Sequence, residues 1–222
     1  MARISHNQEK STSSNPTSKY FKWKSMDKQF SYYDKEAEEN VKVDLPLKFV
    51  FLQHYHTVKG WNDASQSGIW SNEVYYIGSE PMNVRAFKGG TIVKGIYKDI
   101  KEDITRAGGK YHRSVYVMLE DGTIANLSFK GAVVREWSEF MKNNQSLVDN
   151  QWVEIKSAKD QKKGSIKYST PDFALGANLT KKDIIAADNA AATLKEYLDQ
   201  YFKKDEQSAQ VEFEAEDVEL DF

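Results

Sequence analysis

The feature that most constrains the fold is a run of alternating residues, L-P-L-K-F-V-F-L-Q-H-Y-H-T-V, at positions 45–58. Successive side chains of a strand point to opposite faces, so this run predicts one long strand. Leu47, Phe49 and Phe51 share one face, which we expect to be the core face. The other face then carries three polar residues, Lys48, His54 and His56.

Shorter strand patterns follow this run, and two polar segments separate them. Strands are predicted at 73–78, 84–88, 91–98, 111–119 and 123–129, with a hairpin turn at 120–122. The polar segments 62–70 and 101–110 predict loops. The first two-thirds of the chain therefore predict a mainly β protein.

An amphipathic helix and a basic hairpin come next. Val133, Trp137 and Phe140 recur at helical spacing and predict a helix over 132–141. Beyond it, residues 151–157 and 165–169 flank the lysine-rich turn 159–164 and predict a two-stranded hairpin. A helix between the third and fourth strands is typical of the five-stranded OB barrel. We therefore expect a mainly β fold with added helices and an OB-like five-stranded barrel; a small β-sandwich is the alternative.

The chain divides into four predicted segments. Residues 1–19 are polar and predict a disordered N-terminal arm. Residues 20–178 form the OB-like domain. Thr180 and Asp183 have the spacing of a capping box and open a long C-terminal helix over 179–204. This helix is expected to pack on the body, and a dimer contact between two copies is the alternative.

Residues 205–222 form an acidic tail, which we expect to be disordered. The tail holds eight acidic residues and no Lys or Arg. Of 31 basic and 33 acidic residues in the chain, residues 1–204 thus keep 31 basic and 25 acidic ones, a net charge of +6. Such a tail can lie on a basic surface until a polyanion displaces it. A plain solubility tail is the alternative.

Composition excludes several classes of protein. The chain has no cysteine, so thiol nucleophiles, disulfides and Cys-ligated metal sites are excluded. No run approaches the ~18 apolar residues of a membrane span, and the N-terminus lacks the apolar core of a signal peptide. We expect a soluble, cytoplasmic protein.

The predicted outward faces combine basic and aromatic side chains. Lys and Arg neutralise phosphates, and aromatic rings stack on unpaired bases. This pattern predicts a groove for single-stranded nucleic acid, and for each residue the alternative is a core ring or a solubilising charge. Trp23, within Y-F-K-W-K, could equally anchor the N-terminal arm. The candidate DNA-binding residues are Lys48, His54, Trp61, Arg113, Trp152, Lys156, Lys162, Lys163, Lys167 and Trp23.

Two other classes of function stay open. His54 and His56, with His112 or Glu73, could ligate a metal in an enzyme. A protein–protein adaptor that uses the tail and binds no nucleic acid is the other possibility. No phosphate-binding glycine motif or serine-centred catalytic motif is present. We predict a protein that is not an enzyme, with no cofactor and no metal.

The acidic ending D-V-E-L-D-F, together with D-L-P-L-K-F, S-N-E-V, G-K-Y-H-R-S-V-Y, F-K-G-A and K-G-S-I-K-Y-S-T-P, resembles phage single-stranded DNA-binding proteins. The resemblance implies a protein that coats single-stranded DNA during replication, recombination and repair in the cytoplasm of an infected bacterium. It implies recruitment of polymerase, primase-helicase or nuclease through Asp217, Glu219, Asp221 and Phe222. Bacterial single-stranded DNA-binding proteins have a similar acidic tail with Pro before the terminal Phe, whereas this chain has Asp221 at that position. This difference leaves open which partner protein the tail would bind.

Overall fold

The structure, a computed structural model, describes the backbone of residues 15–218 and the side chains of residues 15–201. It is mainly β, with an open sheet and three helices. The strands are β1 (Thr17–Lys24), β2 (Gln29–Asp34), β3 (Glu39–Val43), β4 (Leu47–Asn62), β5 (Ser67–Ser71), β6 (Met82–Ala86), β7 (Gly90–Gly95), β8 (Gly109–Leu119), β9 (Ile124–Lys130), β10 (Gln151–Lys163) and β11 (Ile166–Asn178). The helices are α1 (Tyr97–Arg106), α2 (Ala132–Asn144) and α3 (Lys181–Val218).

The strands form one sheet with the order β3-β2-β1-β9-β8-β4-β5-β6-β7. Strand β1 runs parallel to β9, and the other pairs are antiparallel. The hairpin β10–β11 joins this path through β4. Within the described residues β3 and β7 end the path without pairing to each other, so the sheet is open. The predicted closed OB-like barrel is therefore not confirmed, whereas the mainly β class with added helices is.

The long strand predicted at 45–58 is present as β4, which links the parts of the sheet. Its first residues pair with β10, most of its length pairs with β8, and its last residues pair with β5. The register with β8 shifts between Phe51 and Gln53. Because such a bulge adds one residue to a strand, it reverses the alternation of faces beyond it. His54 and His56 therefore share a face with Phe51, and the prediction that they oppose it is wrong.

Helix α2 covers the main core on one face of the sheet. Trp137, which has no exposed surface, lies with ring centroids 5.3 to 6.5 Å from Phe49, Phe129 and Phe173. Aromatic groups of this size dominate the burial energy of a core. The helical spacing over 132–141 thus predicted both the helix and its buried face.

Helix α3 covers part of the opposite face. Its buried residues, which include Leu194 and Leu198, pack on Val50 of β4 and Met118 of β8. Thr180 and Asp183 form the predicted capping box, since the Thr180 amide donates to Asp183 Oδ2 at 2.9 Å and the Asp183 amide to Thr180 Oγ1 at 3.3 Å. The helix continues to Val218, beyond the predicted end at residue 204. Residues 181–218 contain no Gly or Pro, so the sequence has no strong helix breaker there.

The structure also corrects several short elements. Residues 101–110 were predicted as a loop, yet α1 occupies most of them, because Ile100 and Ile104 lie one turn apart and are both buried on the sheet. Gly108, with φ of 94°, follows that helix. Strand β5 lies in the predicted loop 62–70. In the predicted strand 73–78, Val74 alone makes a bridge, to His56. Strand β1 begins at Thr17, inside the predicted arm.

Candidate functional site

A large groove opens where β9 ends earlier than its neighbour β8. Lys130, the last residue of β9, pairs with His112 of β8. The three residues before His112, Gly109 to Tyr111, pair with β4 on one side, and no other strand of residues 15–218 pairs with them. The resulting gap has a volume of about 1390 Å³ and runs from β1 and the start of α2 to the end of α1.

Lysines dominate one wall of the groove. Lys59 and Lys110 are direct cross-strand partners on β4 and β8. His112 lies two residues from Lys110 on the same face, and Lys130 is its partner. Lys22 of β1 pairs with Ser128, which shares that face with Lys130. Like charges directly opposite in a sheet destabilise it. The facing Lys59 and Lys110 therefore repel each other, and a bound anion would relieve that repulsion.

The lowered pKa of His112 reflects the same concentration of positive charge. Its pKa is lowered to about 4 by burial, and then by the charges of Lys59, Lys130, Lys22 and Lys110. Burial likewise lowers the pKa of Lys59; the nearby Glu73 carboxylate opposes that shift and Lys22 reinforces it. A neutral His112 adds no positive charge of its own at neutral pH. Four lysines therefore act on one histidine, and Asp63 is the single acidic residue among the described side chains that line the groove.

Aromatic side chains also line the groove. Six basic residues and a single acidic one, Asp63, line the groove as far as the structure describes side chains. Trp61 is 53% exposed, which is unusual for so large an apolar ring. Rings beside cations are what an unpaired nucleic-acid strand requires. The aromatic lining residues are Trp23, Trp61, Tyr97, Tyr111 and Tyr168, and the basic ones are Lys22, Lys24, Lys59, Lys110, Lys130 and Arg135.

The first turn of α2 closes one end of the groove. Residues 131–135 line it, and neither a side-chain cap nor an acidic residue neutralises the amide groups of this turn. Gly131, with φ of 57°, makes the sharp entry into the helix. The free amides of a helix N-terminus favour anions, which adds to the positive potential of the lysine wall.

Two of the predicted residues line this groove, Trp61 and Trp23. Trp23 also has the anchoring role that the sequence offered as an alternative. Its Nε1 donates a hydrogen bond of 2.9 Å to the Ser169 carbonyl oxygen, and its ring lies 4.9 Å from that of Phe30. The indole is thus held by this hydrogen bond and by packing on Phe30, while the residue still borders the groove.

Three other predicted residues lie elsewhere. Trp152 packs against the α3 cluster, because α3 covers the face of β10 opposite the main core. Lys48 and Lys156 both approach the Glu154 carboxylate, at 3.7 Å and 3.3 Å. Lys48 and Lys156 thus share one carboxylate, and none of the three residues lines the groove.

The basic hairpin is confirmed and is longer than predicted. Lys162 and Lys167 are direct cross-strand partners near its two-residue turn, and Lys163 adjoins them. All three are exposed, but none lines the groove. The hairpin is held against the β1–β2 turn by Ser25, whose Oγ accepts a 2.7 Å hydrogen bond from the Ser169 amide. The three lysines thus form a separate positive patch at the tip.

His54 and Arg113 lie on the α2 face of the sheet. Their strands place His54 opposite Val115 and His56 opposite Arg113. Burial, with the nearby charge of Arg113, lowers the pKa of both histidines to about 4. Arg113 Nη1 lies 3.2 Å from His56 Nε2, and His56 Nδ1 lies 2.7 Å from the Tyr111 hydroxyl. Through this chain Arg113 reaches the groove indirectly.

The proposed metal set is not assembled. The register puts His54 and His56 on the α2 face, whereas His112 lies on the opposite face of the sheet. Glu73 accepts a 2.8 Å hydrogen bond from Tyr116, which also lies on that opposite face. Among the side chains of residues 15–201, no group of three or more His, Cys, Asp or Glu is placed to hold a metal ion.

Sequence reasoning missed most of the lysine wall. A signal was present in Y-F-K-W-K and G-K-Y-H-R, where rings and cations alternate on β1 and β8. Lys22, Lys110 and Lys130 fall at the positions that share one face. What the pattern could not show is that β9 ends at Lys130, which opens the groove beside them.

The fold and the groove together define a mainly β protein with a basic, aromatic-lined groove at the end of an open sheet. No protein-family model, curated protein or solved structure matches the chain. No helix within residues 15–218 has the length and apolar character needed to cross a bilayer. The predicted tail residue Asp217 lies in α3, and Glu219, Asp221 and Phe222 lie outside the described residues.

Proposed function

We propose that the chain binds single-stranded DNA in the groove between β1, β8 and α2, and that it acts by binding, without catalysis. The observation that carries the proposal is the lining of six basic residues, one acidic residue and five aromatic residues. Cations neutralise the phosphates and release counterions, while rings stack on the bases.

A single strand fits this lining better than a duplex. The bases of a duplex are already stacked and present only their edges, whereas unpaired bases expose the faces that Trp61 and the groove tyrosines can stack on. The lysine wall and the first turn of α2 lie on the same groove, so one strand can contact charges and rings together.

The biological setting belongs to the same proposal. The acidic C-terminal residues would recruit replication proteins while the body coats single-stranded DNA during phage replication, recombination and repair. The infected bacterial cytoplasm would be the location. An OB-like origin also belongs here, since α2 lies between β9 and the β10–β11 hairpin, as a helix separates the third and fourth strands of an OB barrel.

Tryptophan fluorescence during titration with oligo-dT tests the proposal. We expect quenching that weakens steeply as salt rises, because each phosphate contact releases a counterion. Trp61→Phe should remove a large part of the quenching, since Trp61 is the most exposed groove indole. Trp70→Phe is the matched control, because Trp70 lies on β5 beneath Arg85 and does not line the groove.

Two outcomes would contradict the proposal. Absence of binding at low salt would overturn it and favour the adaptor alternative. Binding with equal quenching in Trp61→Phe and wild type would show that the strand occupies another surface, such as the lysine patch at the hairpin tip.

A further inference from the structure

Tyr111 is a groove residue whose hydroxyl is held by a chain of half-buried polar groups. It lines the groove, and its hydroxyl lies 2.7 Å from His56 Nδ1. The other ring nitrogen of His56, Nε2, lies 3.2 Å from Arg113 Nη1. His56 is thus held from both sides, by a tyrosine that faces the groove and by an arginine behind it.

The chemistry of Arg113 sets the direction of these hydrogen bonds. A guanidinium can only donate, so His56 Nε2 must accept. A neutral imidazole has one donor and one acceptor nitrogen, so His56 Nδ1 carries the hydrogen and donates it to the Tyr111 oxygen. The tyrosine hydrogen is then directed away from His56 and remains available to a ligand.

The electrostatics of the site keep this arrangement at neutral pH. Burial and the charge of Arg113 lower the pKa of His56 to about 4, so the ring is neutral. Burial raises the pKa of Tyr111, so its hydroxyl keeps its hydrogen. Arg113 makes no ion pair with the described side chains, and its Nε is buried without a hydrogen-bond partner there.

We infer that Tyr111 donates a hydrogen bond to a phosphate oxygen of the bound strand, and that His56 and Arg113 are positioning residues that fix its hydroxyl as a donor. This inference rests on the proposed function and names one contact within it. A phosphate is favoured over a base because Tyr111 lies on the α2 face of β8, where the uncapped first turn of α2 lines the same groove, and because Arg113 makes no ion pair with the described side chains.

Tyr111→Phe tests the contact, because the variant keeps the ring and loses only the hydroxyl. We expect about tenfold weaker binding of oligo-dT, as for the loss of one hydrogen bond to a charged acceptor. The same loss should appear with an oligonucleotide of abasic sites, which has phosphates but no bases. Tyr33→Phe, on the exposed face of β2, is the control and should bind like wild type.

The positioning role has its own readout in the DNA-free protein. Nitrogen-15 NMR of the histidine side chains should show His56 protonated on Nδ1 at pH 7. Arg113→Met should remove the preference of His56 for protonation on Nδ1. It should also weaken binding in the wild-type background but add nothing to Tyr111→Phe, because the two residues act through one contact.

Each result separates this inference from the proposed function. Wild-type binding with an unchanged affinity in Tyr111→Phe overturns the inference alone. A loss seen with oligo-dT but not with the abasic strand overturns the phosphate assignment. His56 protonated on Nε2 in the wild-type protein overturns the positioning role. Failure of the wild type to bind any single strand overturns the proposed function, and the inferred contact with it.

Discussion

Replacing Lys110 should weaken DNA binding and stabilise the fold at the same time. Lys110 and Lys59 are direct cross-strand partners, and both contribute to the low pKa of His112. Removing one member of a like-charge pair in a sheet gains about 0.2–1 kcal/mol of unfolding free energy. Lys110→Gln keeps a long polar side chain of similar size, so it changes charge with little change in packing.

The loss of binding follows from counterion release. One phosphate contact fewer lowers the slope of log K against log salt by about 0.7 for a single strand. At 0.1 M salt this corresponds to about fivefold weaker binding, and the loss should vanish on extrapolation to 1 M. The gain in stability corresponds to a rise in melting temperature of up to about 4 °C for a chain of this size.

Two measurements check the opposing effects. Oligo-dT titrations at four or more salt concentrations give the slope, and urea unfolding gives the stability. Lys94→Gln is the matched control, because Lys94 is an exposed strand lysine whose partner across β6–β7 is the neutral Asn83. A Lys110→Gln variant with unchanged slope would refute the role of the lysine wall in binding. A less stable variant would refute the claimed repulsion between Lys59 and Lys110.

Two further predictions follow from the same charges. Truncation after Lys204 removes eight acidic residues and should tighten oligo-dT binding at low salt, where competition for the lysines is strongest; unchanged affinity in that titration would exclude competition. His54, His56 and His112 have pKa values lowered to about 4 in the folded chain, so between pH 6.5 and pH 4 the unfolded chain binds more protons than the folded chain. In urea unfolding, the contribution of these histidines to stability should therefore be full above pH 6.5 and decrease as the pH falls toward 4. His112→Gln should reduce that loss, and an equal loss in this variant would exclude His112 as a contributor.

Periodicity predicted the elements that bury a continuous apolar face. The strand at 45–58, the helix around Trp137 and the basic hairpin each place large side chains on one face over many residues. Helix α1 was missed because only Ile100 and Ile104 of its ten residues are buried, so most of the segment is polar. Short strands such as β5 depend on their partners more than on their own sequence.

The candidate site was only partly predictable, because the choice of site residues depended on which face of the sheet each strand residue occupies. Alternation places a side chain correctly only until the first bulge, and the one after Phe51 moved His54 and His56 to the face opposite the one expected. Trp152 was misplaced for another reason, since its face is covered by α3, an element more than 25 residues away in sequence. Neither a bulge nor burial by an element distant in sequence can be recognised from the local residue pattern.

One face of the sheet has two halves, one covered by α3 and the other carrying the lysine wall. This division explains why the charges are concentrated. Strands β4, β8 and β9 present Val50, Met118 and Ile124 at one end of that face, where α3 buries them. The other ends of the same strands carry Lys59, Lys110 and Lys130. Because burial of the apolar half stabilises all three strands, it can offset the repulsion among the lysines in the exposed half. Binding of a polyanion would relieve this repulsion, so under the proposed function we expect the lysine half of the face to contribute most to the binding of a nucleic-acid strand.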